Sequence, residues 1–197
     1  VVARWAEAIP ADGVVAVKAS RFLTHIRRLK DPQEPVDRME SVLAPLGGRL
    51  GPVLLQLPPT LSATPEALEV TLSAFPAGRR VAVEPRHPSW FVPAVRDVLV
   101  AHGAALVWAD RRNRPTGPLW RTAGWGFLRF HEGLARPAPS YGPVALRRWS
   151  ARLREQWSAE EDVYVYFNND AHGAAVRNAS TFAQLTAREG WPVSRTP

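Results

Sequence analysis

The sequence contains no cysteine, which excludes disulfides, thiolate nucleophiles and Cys-ligated metals and leaves only His, Asp and Glu as metal ligands. Lysine is nearly absent as well: Lys18 and Lys30 are the only two among 25 basic residues, so 23 are arginines. No apolar run approaches the ~20 residues that a membrane helix needs. The first ten residues lack the basic start and long apolar stretch of a signal peptide, so no membrane partner is expected and the cytoplasm is the expected location. No G-x-G-x-x-G follows any apolar run, so the usual dinucleotide fingerprint is missing. Repeats, low-complexity tracts and linkers are also wanting, and one domain over residues 1–197 is expected.

What is present is an ordinary globular composition, 46% hydrophobic and 22% charged, far from the signature of disorder. The formal charge of +7 invites a nucleic-acid partner, since neutralised phosphates drive non-specific binding. The basic residues are scattered, however, and an Arg-, Ala- and Pro-rich chain with two lysines reads as the product of GC-rich codons. A nucleic-acid role rests on charge alone.

Six short runs read as strands: Val14 to Ala19, Val53 to Leu57, Val81 to Glu84, Ala104 to Ala109, Phe127 to His131 and Val163 to Asn168. Several are apolar at both alternating positions, as in parallel strands covered on both faces. Helical spacing lies between them. Val36, Met39, Val42, Leu43 and Leu46 stop at Gly47-Gly48, Thr64-Pro65-Glu66 reads as a helix start, and Ser89 can cap a helix closing at Gly103. Leu146, Trp149, Leu153 and Trp157 share a face, as do Val176, Ala179, Phe182 and Leu185. Residues 110–126, rich in Pro and Gly without a helical period, read as a long loop. Alternating strand and helix indicates a parallel α/β architecture.

Four motifs go further. Lys18 with Phe22, Thr24 and His25, then Gln56-Leu57-Pro58-Pro59, then Glu84-Pro85-Arg86-His87-Pro88-Ser89-Trp90, and finally Tyr164 to Asp170 each sit at the end of an expected strand. In this order they resemble the YecE-like family, the domain of unknown function seventy-two, over essentially the whole chain. The resemblance implies a TIM-type (β/α)₈ barrel of parallel strands from which the first two strands are missing, since 197 residues fall short of the roughly 250 of a full barrel. A barrel open in this way would show two unpaired edges. One departure is local: Arg129 and His131 keep the family's Arg-x-His pattern, but Glu132 stands where a glycine is expected.

Active sites in such barrels gather at the carboxyl ends of the strands, where all these motifs fall. The expected catalytic residues are Glu84, Lys18 and His131, and the expected substrate contacts are Gln56, Arg86, His87, Trp90, Asp110, Arg129, Tyr166, Asn168 and Asn169. A carboxylate beside cations can act as a base, and arginines suit phosphate or carboxylate groups, so the reading is an enzyme for a small polar or anionic substrate. Each residue has a plainer reading too. Glu84 and Arg86 can be a structural pair, His87 can hold its own loop, Trp90 can be packing, and Asn168 and Asn169 can be turn residues. His25 is as well suited to solvent as to chemistry, and His102 and His172 read as surface residues. A metal-dependent hydrolase or isomerase using Glu84, His87, Asp110 and His131 is the alternative, but no close ligand pair supports it and no tightly bound transition metal is expected. No cofactor, reaction or oligomeric state is legible. The central expectation is that Glu84 and Arg86 form one functional polar cluster with Lys18 and Arg129.

Overall fold

The computed structural model describes residues 1–194; the last three residues of the expected domain lie outside that range. The chain forms two compact units that meet in sequence between Leu106 and Val107.

The first unit begins with helix α1 (Val2–Ala8) and continues as β1 (Val15–Lys18), α2 (Gln33–Leu43), β2 (Leu50–Gln56), α3 (Pro65–Ser73), β3 (Val81–Glu84), α4 (Pro93–Ala101) and the two-residue β4 (Ala105–Leu106). Its sheet has the order β1-β2-β3-β4, every neighbouring pair parallel. The apolar runs on β2 and β3 are buried along almost their whole length, as parallel strands covered on both faces require. Helices α3 and α4 both open on a first-turn proline, which needs no hydrogen-bond partner for an absent N–H. Thr64 precedes α3 without a side-chain capping bond, and Val92, not Ser89, is the cap position of α4. Ser89 instead accepts from the Ala63 amide at 2.8 Å. On α2 the stripe holds at Val36 and Leu43, while Val42 is exposed, and Gly47 at φ 50° ends the following turn. Arg79, ahead of β3, grips Glu40 of α2 with two bonds of 3.0 and 2.7 Å, the forked geometry that makes such pairs strong.

The second unit comprises β5 (Trp108–Arg111), β6 (Arg114–Pro115), β7 (Gly126–Glu132), α5 (Pro143–Arg154), β8 (Val163–Phe167) and α6 (Ala174–Arg188). The sheet order is β6-β5-β7-β8, with β5, β7 and β8 parallel and only β6 antiparallel. Its core is aromatic: the Phe130 ring lies 4.7 Å from Tyr141, 4.5 Å from Phe167, 6.0 Å from Trp149 and 5.7 Å from Phe182. Such ring pairs add to the gain from burial alone.

Three expectations change. The single run expected over 104–109 splits at Val107 into β4 and β5, which belong to different sheets, so among the described residues the runs form two four-stranded sheets where one was expected. Part of the expected loop is a hairpin: Arg112 and Asn113, at φ 57° and 61°, join β5 to β6 as a two-residue turn with both angles positive. Asn tolerates that backbone; arginine there gives no sequence signal. On α6 the buried positions are Ala174, Ala175, Asn178, Phe182, Ala183 and Thr186, whereas Val176 is exposed. Asn178 and Thr186 are buried because they bond inside the unit, a pattern that hydrophobic periodicity misses.

Candidate functional site

In the first unit, parallel pairing sets the side chains of the expected site in rows. Lys18 pairs with Leu54, and Gln56 pairs with Glu84. Residues two apart on a strand share a face, so Lys18, Gln56 and Glu84 project from one side of the sheet near the strands' carboxyl ends. Glu84 is 3% exposed. Arg86, on the segment that leaves β3, places Nη2 at 3.5 Å from the Glu84 carboxylate and donates to Gln56 Oε1 at 3.1 Å. Burying a carboxylate is costly without such a cation and its hydrogen bonds. His25 joins this group: partial burial lowers its pKa, and the charges of Arg21, Lys18 and Arg86 push in the same direction. Its Nδ1 lies 2.8 Å from Thr24 Oγ1. The VKASRFLTH motif therefore delivers a histidine as well as a lysine to the rim of β1.

Two expected contacts in this unit bond within it. Trp90 is fully buried and donates its indole N–H to the Leu61 carbonyl at 2.7 Å, as a packed core residue does. His87 Nδ1 accepts from the Ser89 amide at 3.2 Å and lies 2.8 Å from Ser89 Oγ; it ties its own loop.

Asp110, expected as a substrate contact, is 0% exposed. Oδ1 accepts from Tyr141 Oη at 2.7 Å and the Asn113 amide at 3.1 Å, and Oδ2 accepts from Trp149 Nε1 at 2.8 Å. Burial pushes its carboxyl above the usual range, opposed by the bonds from Tyr141, Trp149 and Asn113 and by the charge of Arg152. Tyr141 is pushed up too, first by burial and then by its bond to Asp110. The hydroxyl also accepts from the Glu132 amide at 2.9 Å, so Asp110 braces the end of β7. Asn169, 1% exposed, is equally internal: its Nδ2 donates to Pro139 O at 3.1 Å and to Asn178 Oδ1 at 2.8 Å. Sequence reading missed Tyr141 and Asn178, which lie 31 and 68 positions beyond Asp110, with no local motif around either.

Arg129, Tyr166 and Asn168 share one region of the second unit. Arg129 pairs with Tyr166 across β7 and β8, and its Nε donates to Asn168 Oδ1 at 3.0 Å. Tyr166 stacks on Phe127 at 5.1 Å. His131 occupies a bulge: Asp110 pairs with Phe130 and Arg111 with Glu132, leaving His131 as the extra residue, the kind of irregularity that re-aims a side chain at a strand end. The glycine that Glu132 displaces is needed one place later. A Cβ on Gly133 would lie 2.0 Å from the Ser140 carbonyl oxygen, a backbone clash that excludes any other residue.

Among the described residues, no three His, Asp or Glu side chains stand close enough to hold a metal ion; of the four alternative ligands, Asp110 is committed to neutral donors and His87 to Ser89. No helix among the described residues is long and apolar enough to cross a membrane.

Comparison with known structures agrees with this geometry. A DUF72 family protein of Thermotoga maritima superposes with a TM-score of 0.76 at 24% identity, covering 95% of this chain and 77% of that one. One from Enterococcus faecalis gives 0.76 at 22% identity, covering 94% and 83%. They share the fold. A search of curated proteins finds no match. The family described as "Protein of unknown function DUF72" matches residues 1–197, and the chain belongs to that family.

Proposed function

We propose that this protein is an enzyme acting on a small polar, anionic substrate at the carboxyl ends of its parallel strands. The observation that carries the reading is Glu84: a carboxylate 3% exposed, at the end of β3, facing Arg86 and sharing it with Gln56. Buried carboxylates held beside cations are recurrent at functional sites. In this reading Lys18 and Arg86 meet the anionic group of the substrate, Gln56 orients it, and Glu84 takes a proton from it as general base. Arg86 is part-exposed, so a ligand anion can reach it while Glu84 stays shielded. Arg129, Asn168, Tyr166 and His131 belong to the second unit and take no part in this reading. The reading includes a (β/α) barrel architecture, supported by the parallel strand-helix order within each unit.

The test is a thermal-shift screen of phosphorylated and carboxylated metabolites on the wild type, Glu84→Gln and Arg86→Ala. Expected is a ligand that raises the melting temperature of wild type and Glu84→Gln but not of Arg86→Ala, with turnover lost in Glu84→Gln. Equal shifts in all three proteins overturn the proposal. Binding only to nucleic acid, and lost as salt rises, points to the charge-driven alternative.

A further inference from the structure

Within the second unit, an open cavity of about 760 Å³ is lined by Arg112, Glu132, Leu134, Arg136, Pro137 and His172, among others. Three separate segments build it: the turn after β5, the loop after β7, and the turn Ala171–Gly173 that leads from β8 into α6. All three follow the carboxyl ends of parallel strands, where α/β folds place ligands.

Its charge is mostly of one sign. Arg79, Arg86, Arg121 and Arg154 each pair with a carboxylate. Among the described residues, no carboxylate pairs with Arg112, Arg136 or His172. Glu132 is the single acid in the lining, and its backbone is fixed: its carbonyl accepts from the Arg112 amide at 2.6 Å and its amide donates to Tyr141 Oη. Arg112 and Arg136 beside one cavity with so little acid give its mouth a positive potential that favours an anion. Two of the lining residues also sit on left-handed backbone, Arg112 at φ 57° and His172 at φ 59°, a conformation that costs a non-glycine residue about 1 kcal/mol and is retained where surroundings or function demand it. Helix α6, which starts just after His172, has no acid and no side-chain cap in its first turn, so its dipole adds the same sign.

We propose that this cavity binds the phosphate group of a small phosphomonoester. Donors from three segments suit a tetrahedral group with three free oxygens, whereas a planar carboxylate is satisfied by one forked arginine. The volume exceeds that of phosphate alone and falls in the range of small-molecule sites. Leu134 and Pro137 then meet the organic body, and Glu132 accepts from its hydroxyls. Nothing in this assignment depends on Glu84.

The experiment is calorimetric titration of the full chain with glycerol 3-phosphate, inorganic phosphate and acetate at constant ionic strength, using wild type, Arg136→Ala, His172→Asn and Glu84→Gln. Asparagine keeps the left-handed backbone of position 172, and Arg136→Lys serves if Arg136→Ala fails to fold. Expected is saturable binding of glycerol 3-phosphate, tighter than inorganic phosphate, with acetate silent. Arg136→Ala and His172→Asn each weaken it by roughly tenfold, the loss of one charge-assisted bond, and Glu84→Gln leaves it unchanged. The proposal is overturned by absent saturation, by acetate competing equally, or by affinity indifferent to both cavity substitutions. Weakening by Glu84→Gln alone would move the phosphate to the other cluster.

Discussion

Glu84 and Asp110 are both buried carboxylates at the carboxyl ends of parallel strands, one in each unit, and they are built in opposite ways. Glu84 faces a part-exposed arginine and a glutamine at a rim. Asp110 accepts its side-chain hydrogen bonds from neutral donors, Tyr141, Trp149 and an amide, with no solvent exposure and with Arg152 acting only through its charge. A carboxylate balanced by a mobile cation can exchange that partner for a ligand. One whose lone pairs are consumed by a phenol, an indole and a backbone N–H has nothing left to offer, and its charge is disfavoured besides.

Substitution separates the two designs. Asp110→Ala strands the Trp149 indole and the Asn113 amide and leaves the Tyr141 hydroxyl only its longer bond to the backbone carbonyl of residue 110, and at about 1–3 kcal/mol for each unsatisfied buried group the expected loss is the largest, about 3 kcal/mol or more by urea denaturation. A loss under about 1 kcal/mol would mean that water replaces the carboxylate. Asp110→Asn keeps one acceptor but turns an NH₂ towards a donor, so about 1–2 kcal/mol should go.

The pH dependence sharpens the contrast. Because the folded pKa of Asp110 is raised, the native state holds its proton where the unfolded chain, near 3.9, has released it. Native binding of more protons makes stability fall as pH rises. Asp110's contribution is therefore full below about pH 4 and is lost as pH rises through the folded pKa. Stability curves of wild type and Asp110→Asn should converge as pH rises through that window; parallel curves would show that the hydrogen bonds cancel burial, and diverging curves that they outweigh it.

Glu84→Gln is expected to be milder, under about 1 kcal/mol, since Arg86 can turn to water and a part-exposed pair contributes little. A loss near 3 kcal/mol would identify a structural pair. Trp90→Phe removes one indole bond to the Leu61 carbonyl and should cost about 1 kcal/mol with ligand binding unchanged; lost binding would return Trp90 to the site.

The legible part of this molecule was local. β3 matches its expected bounds, the parallel order within each unit follows from doubly apolar runs, and the grouping of Lys18, Gln56, Glu84 and Arg86 at strand ends was legible because strand-end position and motif coincide. Illegible were features set by distant partners. Asp110 reads like any polar residue after a strand, and only the rings of Tyr141 and Trp149, brought in by later segments, make it internal. Val107 separates two sheets although the run around it is uniformly apolar. The bulge at His131 is one residue of pairing register, which spacing alone cannot show.

Strand β8 bears on handling the protein in solution. It is an edge of its sheet, five residues long, all β-branched or aromatic and all half-buried, and a groove of about 660 Å³ with a mixed apolar and acidic lining runs beside it against α6. An uncharged, proline-free edge of this kind is a template for strand addition. Concentration-dependent self-association through Val163–Phe167 is the hazard that follows, and a lysine in place of Val165 is the gatekeeper that would suppress it.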